Sequence, residues 1–532
     1  MGVRSYLERH GGPWLFVALF VAMCGLFEYG RVMHQRPFPH HLSRQTAALS
    51  FTHTYWSKGN DLFDPQLQHL AADGLTTGRT VAEFPILYYA MAQLWRLTGP
   101  SEFAYRAFML LLHFTASLAL FLTLRRILRA ELWAVLVSLF FFTVPAVVYF
   151  AISFMPDVPA FDLMLLGCWA LFRSWPEQRK RDLVLASILF ALAGLLKLPA
   201  LMAPLTLLVL WTAENVLPSI FVRGRAVIQH RWTGLFLLLG VLVVNAAWYR
   251  WSNAYVEEHR FPFSHSGTWA LWDLTDEQID TAWKGGTGVM VWQLFDTPAW
   301  IMLGALLLFL ITQAPHVPRT GWLALLTLMG GVTLFTLLWF ITLDAHEYYF
   351  IIPLLLPLVL IVLSLSVIRT RFPRAFGSPW LLAAFALLFV YHAVYAGNNH
   401  RMRTRVQGGF DPKSFLPIYH PEEAHFWDMA QYWALGPCLR MKPYLRSIGI
   451  TDQDRILLPT DKTVCASLYL LGHEGWVGYG LEPFDQAALE ARERNGARYF
   501  IYHKDHFVVE PWLEPYLDRP VGAFEGMLIF KL

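Results

Sequence analysis

Ionisable side chains suited to chemistry lie at the edges of long apolar segments of this sequence. Two are carboxylates, Glu83 in VAEFP and Asp157 in FMPD, and one is an amine, Lys197 in LLKLP. A carboxylate can act as a general acid or base, and charged groups within or beside membrane segments are rare unless they serve a function. Glu83 and Asp157 are therefore the candidate catalytic residues.

Two polar segments, HHLSRQT and DAHEYY, supply further candidates. HHLSRQT follows the first apolar run and is either a solvated loop or one wall of a site. Its histidines, His40 and His41, have no spacing that indicates a metal site, and neither does His53 further along. The candidates for substrate binding, including the amine named above, are Arg44, Gln45, Lys197, His346, Tyr348 and Tyr349.

Structural explanations compete with these functional ones. Asp157 follows a proline at the start of an apolar segment, where an acid stabilises a helix N-terminus. Lys197 can extend its amine to the membrane interface, although a helix break at this point favours polar partners within the protein. His346 and the two tyrosines beside it fit an aromatic belt. The functional interpretation depends on the whole set lying on one side of the membrane.

The composition is that of a membrane protein. Of 532 residues, 56% are hydrophobic and 15% are charged, whereas soluble domains carry about 25% charged residues. A bilayer span needs about 20 apolar residues. Run 183–213 is longer than one span and is interrupted at Lys197, which predicts two short helices. Together with the other apolar runs, these two helices make about eleven spans. Those runs are 13–30, 104–124, 132–150, 158–172, 232–248, 298–313, 322–343, 349–368 and 379–396.

Basic residues predict the orientation, since they prefer cytoplasmic loops. Basic runs such as RRILR, RKR, RGR (223–225) and RTRFPR occupy alternate loops, and the N-terminus falls on their side. Loops 31–103 and 251–296, called the outer loops, then face the side opposite the cytoplasm. Segment 84–99 is apolar but short, and we predict an interfacial helix held by Tyr88, Tyr89 and Trp95. The first run is expected to remain as an anchor.

The tail differs in composition from the rest of the chain. Short β-like runs at 455–460, 497–502 and 527–532 flank a helix predicted over 483–497. The expected fold is therefore mainly α: a polytopic membrane helix bundle, 1–397, with a C-terminal extramembrane α/β domain, 398–532. Cys438 and Cys465 both fall in this tail and form a disulfide if the outer side is oxidising.

Short motifs spread over nearly the whole chain resemble a known family. They are RQT (44–46), YWSKGNDLFDPQ (55–66), EFPILYY (83–89), FMPDVPA (154–160), LAGLLKLPAL (192–201), HEYYFIIPLL (346–355), SLYLLGHEGW (467–476) and NGARYFIY (495–502). In order and spacing they resemble the GT-C membrane glycosyltransferases, in the branch of the protein mannosyltransferases and the lipid A aminoarabinose transferase.

The resemblance implies transfer of a sugar from a polyprenyl-phosphate donor to a lipid, glycan or protein acceptor. It places the reaction at the outer, periplasmic face of a bacterial inner membrane, with the C-terminal domain on that side. Such a reaction needs a carboxylate base and a cation for the leaving phosphate. Lys197 and Arg44 are suited to the phosphate, with help from His346, and a divalent cation, Mg²⁺ or Mn²⁺, is a further candidate. Membrane lipids are expected partners; the small net charge of +3 gives no indication of nucleic-acid binding.

One position departs from the family pattern. Relatives carry an Asp after Arg-Gln-Thr, whereas this chain has Ala47. Glu83 then becomes the first candidate base, ahead of Asp157, and Asp61 and Asp64 are weaker choices. Two alternatives stay open: a lipid or sugar transporter or flippase, which would carry polar residues through the midplane of several helices, and a non-catalytic assembly partner that has lost its base.

Overall fold

The computed structural model describes residues 3–175, 177–222, 226–262, 267–344, 346–404 and 426–532. The basic run at 223–225 and part of the tail, 405–425, lie outside these ranges. Apolar runs form long helices because a helix satisfies its own backbone hydrogen bonds in a setting without water.

The first half of the chain is helical. Its helices are α1 (Val3–Leu26), α2 (Tyr29–Val32), α3 (Leu42–Lys58), α4 (Ile86–Thr98), α5 (Glu102–Leu128), α6 (Glu131–Phe142), α7 (Pro145–Phe150), α8 (Asp157–Phe172), α9 (Lys180–Leu196), α10 (Met202–Val216), α11 (Pro218–Phe221) and α12 (Arg231–His259).

The second half continues the bundle and ends in the tail. Its helices are α13 (Asp276–Gly285), α14 (Val291–Leu294), α15 (Thr297–Thr312), α16 (Arg319–Leu338), α17 (Leu355–Arg371), α18 (Pro373–Phe376), α19 (Pro379–Thr404), α20 (Phe426–Leu435), α21 (Cys438–Ser447), α22 (Ala466–Leu471) and α23 (Gln486–Arg494). Short 3₁₀ segments, among them Leu198–Leu201 and Glu347–Phe350, join several of them.

Several helices can cross a membrane. Among the described residues, six are long and apolar enough, and a pair bent by 88°, Asp276–Leu294 with Thr297–Thr312, would make a seventh. Shorter apolar helices cover Gly11–Leu26 and Glu131–Phe142. The chain is thus a multi-pass membrane protein, and the larger count of about eleven spans stays a prediction.

The helix break at Lys197 is confirmed. Helix α9 ends at Leu196, a 3₁₀ turn covers Leu198–Leu201, and α10 follows. Lys197 itself has an extended backbone, φ −150° and ψ 118°. The proline at position 199 lacks an N–H for continuing α9, so the helix ends here.

The interfacial segment is helical, as predicted, but its aromatic residues do not face lipid. In α4, Tyr88 and Trp95 are buried against protein. The Trp95 indole N–H donates to the Ser101 carbonyl at 3.0 Å. The expected role of these two side chains as lipid anchors is therefore wrong, because each is enclosed by neighbouring protein segments.

The tail contains a five-stranded sheet in the order β2-β1-β3-β5-β4. The first three strands in that order are parallel, and β3-β5 and β5-β4 are antiparallel. The three predicted β runs and the predicted helix are confirmed, while β2 and β4 were not predicted. The strands are β1 (Arg455–Leu458), β2 (Gly475–Val477), β3 (Ala497–His503), β4 (Pro520–Phe524) and β5 (Met527–Lys531).

The segment 31–103 joins this sheet beside β2. The Leu70 N–H donates to the Gly475 carbonyl at 2.8 Å, and the Gly475 N–H donates to the Gln68 carbonyl at 3.1 Å. The buried Trp476 indole N–H donates to the Leu70 carbonyl at 2.9 Å. The tail is therefore hydrogen-bonded to the loop that leads to Glu83.

Loss of the Trp476 side chain should loosen this connection. We expect Trp476→Ala to lower the free energy of unfolding by about 3–5 kcal/mol, since a fully buried indole leaves a cavity. Thermal unfolding and limited proteolysis of the tail would measure the effect. Trp433→Ala, at a tryptophan that is 56% exposed, is the matched control; equal stability of the two variants would contradict the prediction.

The structure does not contain the disulfide that the sequence left open. Cys438 and Cys465 are both free and buried. Each lies in the apolar core at the start of its own helix, α21 or α22, and behaves there as a small hydrophobic residue. Burial raises the pKa of both thiols, which keeps them protonated.

Candidate active site

Four charged residues from separate segments converge at one point. Arg44 lies in the first turn of α3, Glu83 in the loop before α4, Asp157 at the first position of α8, and Lys197 at the break after α9. A backbone hydrogen bond of 3.1 Å from the N–H of residue 84 to the carbonyl of residue 195 joins the Glu83 loop to the end of α9. The fold thus brings together residues up to 153 positions apart, the separation of 44 and 197.

The lysine bridges the two carboxylates. Lys197 Nζ lies 2.8 Å from Glu83 Oε1 and 3.2 Å from Asp157 Oδ1. Arg44 Nη2 lies 2.5 Å from the same Glu83 oxygen. Asp157 is 1% exposed and Lys197 7% exposed. Two negative and two positive charges therefore balance in a buried setting, where pairing is needed to offset lost hydration.

The two carboxylates have different partners. Glu83 accepts from Arg44 at Oε1 and from the Tyr88 hydroxyl at Oε2, at 2.9 Å. Within the described part of the chain, neither oxygen of Asp157 has a hydrogen-bond partner of good geometry, although the lysine ammonium is 3.2 Å away. Hydrogen bonds to a carboxylate favour its ionised form and weaken it as a base. Asp157 is therefore the more available proton acceptor.

Aromatic rings cover the lysine. Lys197 Nζ lies 5.6 Å from the Tyr348 ring centroid and 5.4 Å from that of Tyr349, within the range of a cation–π interaction. The His346 ring lies 5.5 Å and 6.0 Å from the same two rings. His346, Tyr348 and Tyr349, which the sequence predicts to bind substrate, thus lie together on one side of the cluster.

Gln45 has a different position from its neighbour in the sequence. Its buried amide donates to the His40 carbonyl at 2.7 Å and to the Tyr149 hydroxyl at 3.3 Å. These contacts hold the backbone of the HHLSRQT segment. Gln45 therefore orders the segment from which Arg44 reaches Glu83.

The weaker base candidate Asp64 belongs to another network. It lies 3.0 Å from Arg79 and accepts from the Tyr255 hydroxyl at 2.9 Å. Sequence reasoning missed one residue at the cluster, Tyr88. The motif EFPILYY contains Tyr88 five residues after Glu83. Glu83 precedes α4, and five residues is not the spacing of helix-surface neighbours, so the sequence had no spacing signal for this contact.

Magnesium or manganese does not fit between Glu83 and Asp157. Mg²⁺ requires nearly octahedral oxygen ligands, whereas the position that both carboxylates share holds the Lys197 ammonium. The Arg44 guanidinium adds a second positive charge to Glu83. Lys197 and Arg44 therefore supply the positive charge at this point, in place of Mg²⁺ or Mn²⁺.

Comparison with known proteins agrees with the fold. The family model described as dolichyl-phosphate-mannose-protein mannosyltransferase matches residues 82–251, the range that contains Glu83, Asp157 and Lys197. No curated protein sequence matches the chain significantly.

Solved structures match over almost the whole chain. ArnT from Cupriavidus metallidurans bound to undecaprenyl phosphate has a TM-score of 0.54 at 12% identity and covers 97% of both chains. An oligosaccharyltransferase from Archaeoglobus fulgidus, tethered to an acceptor peptide, has a TM-score of 0.51 at 12% identity, covering 94% of this chain and 70% of its own. The chain therefore has the GT-C fold, and it resembles the ArnT and protein mannosyltransferase branch.

Proposed function

We propose that the chain is a membrane glycosyltransferase that uses a polyprenyl-phosphate-linked sugar as donor. The observation that supports this most directly is the buried cluster of two carboxylates with Lys197 and Arg44. In a GT-C fold this cluster combines a base with cations suited to a phosphate. The acceptor is a lipid, a glycan or a protein, and the reaction takes place at the periplasmic face of a bacterial inner membrane.

The reaction couples a proton transfer to a displacement. Asp157 takes the proton from an acceptor hydroxyl, whose oxygen attacks C1 of the sugar. The bond from C1 to the phosphate oxygen breaks, and its electron pair stays on that oxygen. The products are the glycosylated acceptor and polyprenyl phosphate, and attack from the opposite side inverts the configuration at C1.

The cations serve the leaving group. Lys197 and Arg44 stabilise the negative charge that develops on the phosphate, because fixed cations in a poorly hydrated site act strongly on such charge. Their partner before donor binding is Glu83. When the phosphate attracts the Lys197 ammonium, Asp157 loses its nearest cation and becomes a stronger base. Donor binding therefore prepares the base.

The remaining predicted residues assist in donor binding. Tyr348 and Tyr349 lie beside Lys197, and we assign them to the wall that orients the donor headgroup. His346 packs behind these rings and supports their position. Gln45 acts one step further away, through the backbone that carries Arg44.

The fate of the donor distinguishes the three candidate functions: a transferase, a transporter and a non-catalytic assembly partner. The full chain would be reconstituted in liposomes with polyprenyl-phosphate sugars and candidate acceptors, and the lipids would be analysed by mass spectrometry. A transferase converts the donor into polyprenyl phosphate in a reaction that requires the acceptor. A transporter moves intact donor across the bilayer, and an assembly partner does neither. If the donor remained intact with every pair of sugar and acceptor, the proposal would be overturned.

A further inference from the structure

Two adjacent histidines and a distant glutamate form a second buried cluster. His40 Nε2 lies 2.7 Å from Glu347 Oε1, and His41 Nε2 lies 3.2 Å from Glu347 Oε2. The side chains are 12%, 7% and 5% exposed, respectively. About 306 positions separate the glutamate from the histidine pair. The functional cluster around Lys197 does not use these three groups.

The backbone at this cluster has an unfavourable conformation. His41 has φ 55° and ψ 37°, the left-handed region that costs energy for a residue with a side chain. The preceding carbonyl, of His40, accepts from Gln45 Nε2 at 2.7 Å and from the Tyr149 hydroxyl at 2.9 Å. Local strain that neighbours hold in place is typical of functional sites. Here it directs two consecutive imidazoles toward one carboxylate.

The donor set is that of a transition-metal site. The two imidazole nitrogens and a carboxylate oxygen all lie within 4.8 Å of one another. Around a zinc ion with bonds of about 2.0–2.2 Å, ligand atoms are separated by about 3.0–3.5 Å. Small side-chain rotations would bring these atoms to that spacing. Imidazole with carboxylate suits zinc and related divalent ions rather than Mg²⁺ or Ca²⁺.

We propose that His40, His41 and Glu347 bind one zinc-type divalent cation. The site would connect the start of α3 to the 3₁₀ segment Glu347–Phe350. The residue after the glutamate, Tyr348, packs edge-on against the His41 ring at 4.8 Å and also faces Lys197. A bound ion would therefore fix the position of the tyrosine wall without touching the reacting atoms.

A buried arginine is the competing partner of the carboxylate. Arg403 Nη1 lies 3.0 Å from Glu347 Oε1, and its guanidinium lies 5.3 Å from the Tyr149 ring centroid. In the metal-bound state this arginine remains on Oε1, and Oε2, near His41, faces the ion. The alternative is a purely protein-based ion-pair network in which the histidines carry protons. The two states differ in whether zinc is bound.

Metal content tests the proposal directly. The full chain would be purified in detergent without a polyhistidine tag, stripped with a chelator, and dialysed against Zn²⁺ alone. We expect about one zinc per chain, and an increase in Tm when Zn²⁺ is added. Glu347→Gln and His41→Ala should each weaken zinc binding at least about 100-fold. His53→Ala, at another histidine of α3, should bind zinc like the wild type.

Co²⁺ provides a signal from the wild type alone. Its visible absorption spectrum reports nitrogen and oxygen coordination, so the result does not depend on whether a variant folds. Wild type that binds neither ion, or Glu347→Gln that binds as much zinc as wild type, would overturn the proposal. These readouts do not involve sugar transfer, so the site proposed here and the proposed enzyme activity succeed or fail separately.

Discussion

Replacement of Asp157 by Asn should lower sugar transfer by about 10²–10⁴-fold, the contribution of a positioned general base. The amide keeps the shape of the side chain but cannot take the proton of the acceptor hydroxyl. The loss should appear in kcat, because Asp157 acts on the acceptor after the donor has bound. The measurement is the rate of polyprenyl phosphate formation by equal amounts of folded protein.

Glu83→Gln should behave differently. Glu83 holds Arg44, Lys197 and the Tyr88 hydroxyl, so its neutralisation disturbs the cations that bind the phosphate. A hydrogen bond to a charged group contributes about 1.5–3 kcal/mol, which corresponds to roughly 10–100-fold, and we expect this loss in KM for the donor. The sequence ranks Glu83 first as the base, and that ranking stays a prediction; the contacts favour Asp157.

Asp64→Asn is the matched control for both variants. This residue lies in the same segment, 31–103, as Glu83, and its side chain is 32% exposed. Its loss should change transfer less than about 10-fold, because its contacts are with Arg79 and Tyr255 rather than with the charged residues of the candidate site. Full activity of Asp157→Asn would refute the assignment of the base. If Glu83→Gln instead abolished kcat, the ranking from sequence would be supported.

Local features were predictable because each depends on a short stretch of chain. The apolar runs predicted the long helices, and the proline after Lys197 predicted the break between α9 and α10. Three tail strands follow from runs of β-branched and aromatic residues. Strand β2 was missed because it has only three residues, Gly475–Val477, and its strand partner is β1, with which it pairs in parallel from about twenty positions away.

At the candidate site, contacts between residues far apart in the sequence limited what the sequence could predict. The alternation of basic loops assigns each residue to a side of the membrane, and it predicted that Glu83, Asp157 and Lys197 lie near one membrane surface. It could not predict that one ammonium bridges both carboxylates, because this depends on side-chain positions of three helix ends. The His40, His41 and Glu347 cluster was missed for the same reason: two adjacent histidines alone have no metal-ligand spacing.

Replacement of Lys197 by Met is expected to abolish transfer and to destabilise the protein. Removal of the ammonium leaves Glu83 with Arg44, while Asp157, 1% exposed, loses the cation 3.2 Å from its carboxylate. Loss of one partner from a buried ion pair costs about 3–5 kcal/mol. The expected lowering of Tm would be measured by thermal unfolding in detergent, and the affinity for the lipid phosphate by binding of a polyprenyl phosphate.

Lys284→Met is the matched control for stability. Lys284 Nζ also pairs with an aspartate, Asp280, at 2.6 Å, but the two side chains are 74% and 58% exposed. An exposed pair of this kind contributes about 0–1 kcal/mol. A Tm for Lys197→Met equal to that of this control would contradict the buried charge balance.

The double variant Lys197→Met with Asp157→Asn separates stability from catalysis. It removes the carboxylate that the single variant leaves unpaired, so it should be more stable than Lys197→Met alone, with a coupling energy of about 0.5–3 kcal/mol. It should nevertheless remain inactive, because it lacks both the base and a cation for the phosphate. Recovery of activity together with stability would show that the lysine and the aspartate serve the fold alone.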